Sequence, residues 1–253
     1  MYEALGSNNI GSQAWVGKAV GGGSGAHAPV PSFKERLVRS SFYFTYVMLF
    51  TTGTITFIEA LRTQSPYIRH VMNLETCISI VAAFFYSLFI EKLKTVEFGA
   101  PLPFDDLTTI RYNDWMISTP LMLLVLCIVL GTENKRQLHF WVFALVLVLD
   151  LGMLISGYLG EMNKINKKAA LVIGFAFFIA MFGFIWYYFM QGAKNGFAVT
   201  LVFTIFVSVW SVYGLIYSMD DDTRNTVYNV LDVIAKCFVG ILFWLYFTRV
   251  VEF

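Results

Sequence analysis

Seven apolar stretches, separated by short polar breaks, follow one another from Ser41 onward. Each is about twenty residues long, which is the length that a helix needs to cross a lipid bilayer. Unpaired backbone groups are costly in hydrocarbon, so these stretches should be helical. Because the connections are short, consecutive helices should be antiparallel neighbours. The sequence therefore predicts an all-α membrane protein, a seven-transmembrane-helix bundle with spans at about 41–61, 69–91, 107–131, 138–159, 169–190, 198–219 and 226–250.

Composition supports lipid as the solvent. Only 14% of the residues are charged, whereas a soluble domain has about a quarter. The net charge of +1 argues against nucleic acid as a partner. Cys77, Cys127 and Cys237 lie in apolar stretches without the spacing of metal ligands, so we expect no metal site.

The first part of the chain differs from the rest. Residues 1–31 are rich in Gly, Ser, Asn and Ala. A segment of this kind buries too little apolar surface to fold by itself. We therefore expect a flexible amino-terminal tail over residues 1–40, followed by the seven-helix domain over residues 41–253.

Lys236 is the only lysine away from the end of a predicted span. A charge near the bilayer centre costs a few kcal/mol or more, so it indicates a functional site. Asp232 lies one helical turn earlier on the same face, and Asp114 in the third span is a second acid that could pair with a buried ammonium. These residues allow two interpretations: a structural ion pair, or a lysine that acts as a Schiff-base nucleophile in an apolar pocket.

Aromatic residues at helical spacing are found near these charges. By itself such a pattern is typical of core packing. Around a desolvated lysine it also fits a long apolar ligand held between rings. The residues are Trp115, Trp210, Tyr213 and Tyr217.

Two segments carry a resemblance to a known family. Residues 111–120 read Arg-Tyr-Asn-Asp-Trp-Met-Ile-Ser-Thr-Pro, and residues 231–236 read Leu-Asp-Val-Ile-Ala-Lys. They resemble the third-helix and seventh-helix signatures of the microbial (type 1) rhodopsins, with Ser118 in place of the usual threonine. The sixth span has the similar Trp-x-x-Tyr pattern, followed by Gly214 where proline is frequent. The fourth span, with Gly157, is similar to the proteorhodopsin-like branch.

This resemblance implies a chromophore and its site. All-trans retinal would be attached to Lys236 as a Schiff base, with Asp114 as primary proton acceptor and Asp232 as second counterion. Arg111 would be a gate on the extracellular side, and Ser118 would also belong to the proton path. The retinal pocket would be lined by Trp115, Thr119, Met122, Met153, Gly157, Trp210 and Tyr213.

The resemblance also implies a setting in the membrane. It places the amino terminus outside the cell and the carboxyl terminus in the cytoplasm, although the distribution of Lys and Arg weakly favours the reverse. We expect a retinal-binding photoreceptor and not an enzyme. Its partners would be protons or small inorganic cations, the lipid bilayer and further copies of itself in a homo-oligomer.

Two positions bear on the transport mechanism. Val125 stands where pumps of the resembled family carry a proton-donating Asp or Glu. Glu75 in the second span could replace that donor. Together with the polar run at residues 51–56 it could also line a cation path, although small residues in that run could serve helix packing alone.

The chain also resembles rhodopsins of giant viruses of marine protists, at Asp114, Ser118, Val125 and Glu75. Some of those rhodopsins are light-gated cation channels, and others are proton pumps. The preferred prediction is a light-gated cation channel. The alternatives are a light-driven outward proton pump, with Asp114 as acceptor and Glu75 as donor, and a sensory rhodopsin that acts through a separate partner.

Overall fold

Regular structure in the described part of the chain is helical throughout. The computed structural model describes residues 32–194 and 196–248, so most of the predicted tail, residues 1–31, lies outside these ranges. The helices are α1 Phe33–Arg62, α2 Pro66–Lys94, α3 Phe104–Glu133, α4 Phe140–Glu161, α5 Lys167–Met190, α6 Phe197–Ile216 and α7 Asp221–Phe247. All seven are long and apolar enough to cross a membrane. The predicted all-α, seven-span fold is confirmed.

Six of the seven helices begin before their predicted spans, and the difference is largest for α1 and α7. Helix α1 starts at Phe33 and not at residue 41, and the side chain of Ser32 caps it by accepting the N–H of Glu35 at 3.1 Å. Helix α7 starts at Asp221 and not at residue 226, capped by Asp220. Helix α1 thus includes residues 33–40, the last part of the segment predicted as a tail. Both first turns are polar and extend beyond the apolar stretch, which is why hydropathy alone missed them.

Helix α7 is not α-helical throughout. Its segment Val233–Phe238 is π-helical, a wider turn in which backbone bonds join residues five apart. The segment contains Lys236. A π-helical turn rotates the residues that follow it relative to those before it, and such turns are frequent at functional sites.

Helices α3 and α2 are the most buried of the seven, and α7 packs against α1, α2 and α6. Helix α3 packs on α2, α4 and α6, while α1 packs on α2 and α7 and closes the bundle on the other side. Antiparallel order brings the starts of α1, α3, α5 and α7 to one end, which we call the amino-terminal face. The other end, with the starts of α2, α4 and α6, is the opposite face.

Candidate functional site

The buried lysine and two carboxylates lie together between α3 and α7. Lys236 Nζ donates a hydrogen bond to Asp114 Oδ2 at 2.6 Å, and Asp232 Oδ1 lies 3.7 Å from the same nitrogen. Lys236 is 2% exposed and Asp114 is fully buried. Removal of water strengthens such a charge pair, and the loss of one partner would leave an unpaired buried charge.

Asp232 is held by donors from three helices. Its Oδ1 accepts hydrogen bonds from Tyr213 Oη at 2.7 Å and from Trp115 Nε1 at 3.4 Å. Its Oδ2 accepts a hydrogen bond from Tyr86 Oη at 2.8 Å. These donors come from α2, α3 and α6. The carboxylate is therefore fixed in position as well as paired with charge.

Asp114 has fewer partners than Asp232. Its Oδ2 accepts from Lys236, while no described residue donates a hydrogen bond to its Oδ1. Ser118 is one turn further along α3 and is fully buried, and its hydroxyl has no hydrogen-bond partner within the described ranges. Of the two carboxylates, Asp114 is thus the one with an oxygen available to a proton.

Arg111 lies on the amino-terminal side of these carboxylates. Its Nη2 donates to Asn225 Oδ1 at 3.1 Å and to Asn229 Oδ1 at 2.8 Å, and its Nη1 lies 3.7 Å from Asp232 Oδ2. The guanidinium also faces the ring of Phe89 at 4.9 Å. Amide oxygens and aromatic faces both stabilise a desolvated guanidinium.

Three residues that hydrogen-bond to Asp232 or Arg111 were not predicted as site residues: Tyr86, Asn225 and Asn229. Asn225, Asn229, Asp232 and Lys236 recur at intervals of four, three and four residues and thus share one face of α7. That spacing was a usable signal for the two asparagines. Tyr86 had no comparable signal in the sequence, because its contact with Asp232 depends on how α2 packs against α7.

A cavity of about 120 Å³ adjoins this cluster, and Lys236 and Asp232 form part of its wall. Residues from α3, α4, α5, α6 and α7 line it, and most of them are apolar or aromatic. All seven residues predicted for the pocket are among them: Trp115, Thr119, Met122, Met153, Gly157, Trp210 and Tyr213. Others, including Tyr112, Phe175 and Phe178, were not predicted.

Two glycines set the width of this cavity. A Cβ atom at Gly157 would lie 2.7 Å from Tyr112 Oη, and one at Gly214 would lie 2.6 Å from Phe175 Cζ. Distances this short are not tolerated without movement of the neighbouring ring. The Phe175 ring therefore explains why position 214 is a glycine. It occupies the space that any larger residue would need, including the proline that is frequent in the resembled family. A narrow apolar cavity with a lysine in its wall fits a long, thin apolar ligand that binds covalently.

Glu75 does not line the cavity. It is 2% exposed, and its Oε2 lies 3.0 Å from the position that a Cβ atom on Gly240 would take. A methyl carbon of Thr52 lies 3.2 Å from the same point. The carboxyl therefore sits where α1, α2 and α7 meet. Val125 on α3 is fully buried in an apolar cluster.

Other buried polar groups follow the α1–α2–α7 junction. The hydroxyls of Thr56 on α1 and Thr76 on α2 lie 2.9 Å apart. Toward the amino-terminal face, Thr45 on α1 donates to the backbone carbonyl of Asn229 on α7 at 3.1 Å. Ser79 on α2 is fully buried, and its hydroxyl has no hydrogen-bond partner in the described chain.

Only some of the residues in the polar run 51–56 face this junction. Thr52, Gly53 and Thr56 are buried against neighbouring helices. Thr51 and Thr54 face outward and donate to backbone carbonyls of their own helix, at 2.8 and 2.9 Å. Only part of the run can thus contribute to an internal path.

Seven membrane helices around a buried lysine with paired carboxylates are the architecture of a microbial rhodopsin. The chain belongs to the bacteriorhodopsin-like protein family, whose sequence model matches residues 37–250. The resemblance inferred from the sequence is confirmed. The rhodopsin family binds a retinal chromophore, and its members are ion pumps or channels.

Individual relatives agree with this assignment. The crystal structure of the viral rhodopsin OLPVRII is 42% identical, with a TM-score of 0.78 over 85% of this chain and 100% of that chain. Opsin-1 of Neurospora crassa is 30% identical over 154 residues, which are 53% of this chain and 47% of Opsin-1. A green-light absorbing proteorhodopsin of Gamma-proteobacterium EBAC31A08 is 26% identical over 154 residues, 55% of this chain and 61% of that protein. The chain thus spans about half to three fifths of the length of these two relatives.

Proposed function

We propose that this rhodopsin binds all-trans retinal at Lys236 and is a light-gated cation channel. The observation that carries the proposal is the position of Glu75. Its buried carboxyl lies at the junction of α1, α2 and α7, against Thr52 and Gly240, within a row of buried hydroxyl groups. Carboxylate and hydroxyl oxygens are the groups that replace the water around a passing cation.

The residues around the cavity fit the chromophore. Lys236 Nζ supplies the amine, Trp115 and Trp210 supply flat apolar walls, and Gly157 and Gly214 leave room between the helices. Retinal, once bound, supplies absorption of visible light and a change of shape that the pocket must accommodate. The side chains exclude water from the amine, since Lys236 is 2% exposed.

Proton movement follows from the unequal surroundings of the two carboxylates. Asp114 Oδ2, 2.6 Å from Lys236 Nζ, is placed to accept a proton held at that nitrogen. Asp232 is already bound by Tyr86, Tyr213 and Trp115, so it stays in place as a fixed counterion. Proton transfer from Lys236 to Asp114 removes one positive and one negative charge from the cluster. It therefore weakens the electrostatic attraction between α3 and α7.

Slow return of the proton to Lys236 favours a channel over a pump. Val125 has no proton to give, so the nitrogen of Lys236 must recover its proton from a more distant group. A long-lived altered state suits conduction, in which many ions pass for each absorbed photon. It suits a pump less well, because one proton moves for each cycle.

An outward proton pump is the second candidate. The 2.6 Å contact between Lys236 and Asp114 favours it, because an acceptor adjacent to the nitrogen is what the first step of pumping requires. In that case Glu75 would be the donor from the opposite half of the bundle. For either function we place the amino terminus outside the cell and the carboxyl terminus in the cytoplasm, and we expect a homo-oligomer.

Voltage clamp under illumination separates the two candidates. A channel gives a photocurrent whose reversal potential follows the cation gradient. A current that stays outward at every accessible voltage would mean a pump, and the channel proposal would be wrong.

The role of Glu75 is tested in the same recordings. Glu75→Gln keeps the size of the side chain and removes its charge, so we expect most of the cation current to be lost while the visible absorption band remains. Glu91→Gln is the matched control, because Glu91 lies on the same helix with its side chain exposed. Equal currents in the wild type and in Glu75→Gln would refute the proposed path.

Chromophore attachment has its own test. Protein expressed with all-trans retinal should show a visible band, and Lys236→Ala should lack it. Borohydride reduction of the wild type should then leave the added mass on the peptide that contains Lys236. A mass shift on another lysine would contradict the assignment even if Lys236→Ala fails to fold.

A further inference from the structure

A second cavity, unrelated to the lysine site, opens at the amino-terminal face between α1 and α2. It has a volume of about 550 Å³. Its lining includes Arg36, Arg39 and Lys94, together with Ser40 and Tyr43. Among the described residues, no carboxylate lines it. We call it the α1–α2 cleft.

The floor of the cleft is a fixed arginine. Arg39 is 9% exposed; its Nε donates to Glu35 at 3.0 Å and its Nη1 donates to the carbonyl of Leu93 at 2.6 Å. The guanidinium also faces the ring of Phe98 at 4.7 Å. Glu35 balances the charge of Arg39 and joins α1 to the chain after α2, where it accepts the N–H of Gly99 at 3.0 Å. The residues around the cleft are thus held in place by specific hydrogen bonds.

The other two cations of the cleft are free to bind an anion. Arg36 and Lys94 are both exposed, and neither forms an ion pair with any residue in the described ranges. With Arg39 balanced by Glu35, the cleft keeps two positive charges that no described residue pairs with. Two cations at the edge of a membrane span are suited to a phosphate group.

The surface of α1 below the cleft changes from basic to apolar along one face. Arg36, Ser40, Tyr43, Val47 and Phe50 follow at helical spacing, so they form a single stripe. Tyr43, Val47 and Phe50 are 44%, 58% and 62% exposed, so this stripe faces lipid. A headgroup beside Arg36 would therefore continue into acyl chains along Val47 and Phe50.

We infer that the α1–α2 cleft binds an anionic phospholipid, with its phosphate between Arg36 and Lys94 and its acyl chains along the α1 stripe. A free phosphate ion would use the same two cations but not the stripe. The two charges contribute about 30-fold in affinity for an anionic headgroup over a zwitterionic one.

Native mass spectrometry of the detergent-purified full chain tests the site. The probes are phosphatidylglycerol, phosphatidylcholine and inorganic phosphate. We expect a phosphatidylglycerol adduct on the wild type that weakens about 30-fold in the double variant Arg36→Gln, Lys94→Gln, while phosphatidylcholine binds weakly to both.

The matched control is the double variant Lys164→Gln, Lys168→Gln. It removes the same charge from exposed residues at the same face, in the region that joins α4 to α5. It should keep the adduct. Equal loss in both double variants would show a general charge effect and overturn the site. Displacement of the lipid by inorganic phosphate at equal concentration would overturn the role of the acyl chains.

Discussion

At the scale of single residues, the two aspartates beside Lys236 differ in what surrounds them. Asp232 accepts three hydrogen bonds from Tyr86, Trp115 and Tyr213, whereas among the described residues Asp114 is bonded only to Lys236, through one oxygen. Identical functional groups thus have different surroundings: the carboxylate of Asp232 is held by three donors, and Asp114 has one oxygen to which no described residue donates a hydrogen bond. The difference comes from neighbouring side chains and not from distance along the chain.

The sequence could identify both aspartates but not this difference. Spacing placed Asp232 and Lys236 on one face of α7, and the third-helix motif indicated Asp114. The hydrogen bond from Tyr86 depends on the packing of α2 against α7, and no local pattern encodes it. Pocket residues on α3, α4 and α6 followed from motifs, whereas Phe175 and others on α5 lacked any motif to mark them.

A second residue pair beside the cavity allows a stability prediction. Thr119 Oγ1 on α3 donates to Asp150 Oδ2 on α4 at 2.7 Å, and Asp150 is fully buried. In a double-mutant cycle of Thr119→Ala with Asp150→Ala, we expect a coupling free energy of unfolding of about 1 kcal/mol. Thr54→Ala is the control, because Thr54 faces outward and bonds within its own helix. A coupling energy near zero would show that the hydrogen bond does not join α3 to α4.

At the scale of helices, the close approach of α5 to α6 depends on Gly214. A Cβ atom there would lie 2.6 Å from the Phe175 ring, so Gly214→Ala forces that ring to move. We expect a destabilisation of about 1–3 kcal/mol and slower uptake of retinal, followed as growth of the visible band. Gly183→Ala is the matched control, since a Cβ atom on Gly183 meets no described atom within 4 Å. Identical uptake in the two variants would disprove the role of Gly214 in shaping the cavity.

The start of α7 gives a pH-dependent prediction. Asp220 caps this helix: its carboxylate accepts the N–H of Thr223 at 3.0 Å. Backbone and side-chain hydrogen bonds from Thr223 hold the pKa of Asp220 below its usual value. A lowered folded-state pKa means that the cap stabilises the fold above the unfolded pKa, which is about 4, and that this contribution is lost as the pH falls through the lower folded pKa.

Thermal unfolding at a series of pH values measures this contribution. Asp220→Ala should melt below the wild type at pH 7, and the two should converge in acid. Asp220→Ser keeps a capping oxygen without a titrating group, so its difference from Asp220→Ala should not vary with pH. A gap between the wild type and Asp220→Ala that persists unchanged in strong acid would contradict the prediction.

Helix ends were the part of the fold that hydropathy predicted least well. The apolar stretches located all seven helices, because the thickness of hydrocarbon sets their length. The polar first turns of α1 and α7 lie beyond that thickness, and the capping oxygens of Ser32 and Asp220 determine where those helices begin. Hydropathy also gave no sign of the π-helical segment Val233–Phe238, which lies within an apolar stretch.

At the scale of the whole molecule, the bundle holds two separate systems. The aromatic cavity lies among α3, α4, α5, α6 and α7, and the row of buried polar groups lies among α1, α2 and α7. Helix α7 belongs to both, because Lys236 borders the cavity while Gly240, one turn on, contacts Glu75. Movement of α7 beside the cavity would therefore also displace residues of the polar row.

In the proposed mechanism, the residue at position 125 controls how fast a proton returns to Lys236. Val125 is fully buried on α3, on the opposite-face side of Asp114. A glutamic acid there would place a proton donor on the same helix as the acceptor. In Val125→Glu, we expect ground-state absorbance after a flash to recover on the order of a hundredfold faster, because a positioned acid speeds proton transfer by at least that factor. The cation current should shrink as the altered state becomes shorter.

The control variant Val125→Gln distinguishes the effect of the carboxyl group from the effects of the polarity and size of the new side chain. It disturbs the apolar cluster to a similar extent but has no proton to donate, so its recovery should stay slow. Flash spectroscopy and voltage clamp on both variants give the answer. If Val125→Glu recovers no faster than Val125→Gln, proton return is not what limits the cycle. The duration of the proposed conducting state would then depend on another step, and movement of α7 is the one that the hydrogen bonds of Tyr86 and Tyr213 to Asp232 would oppose.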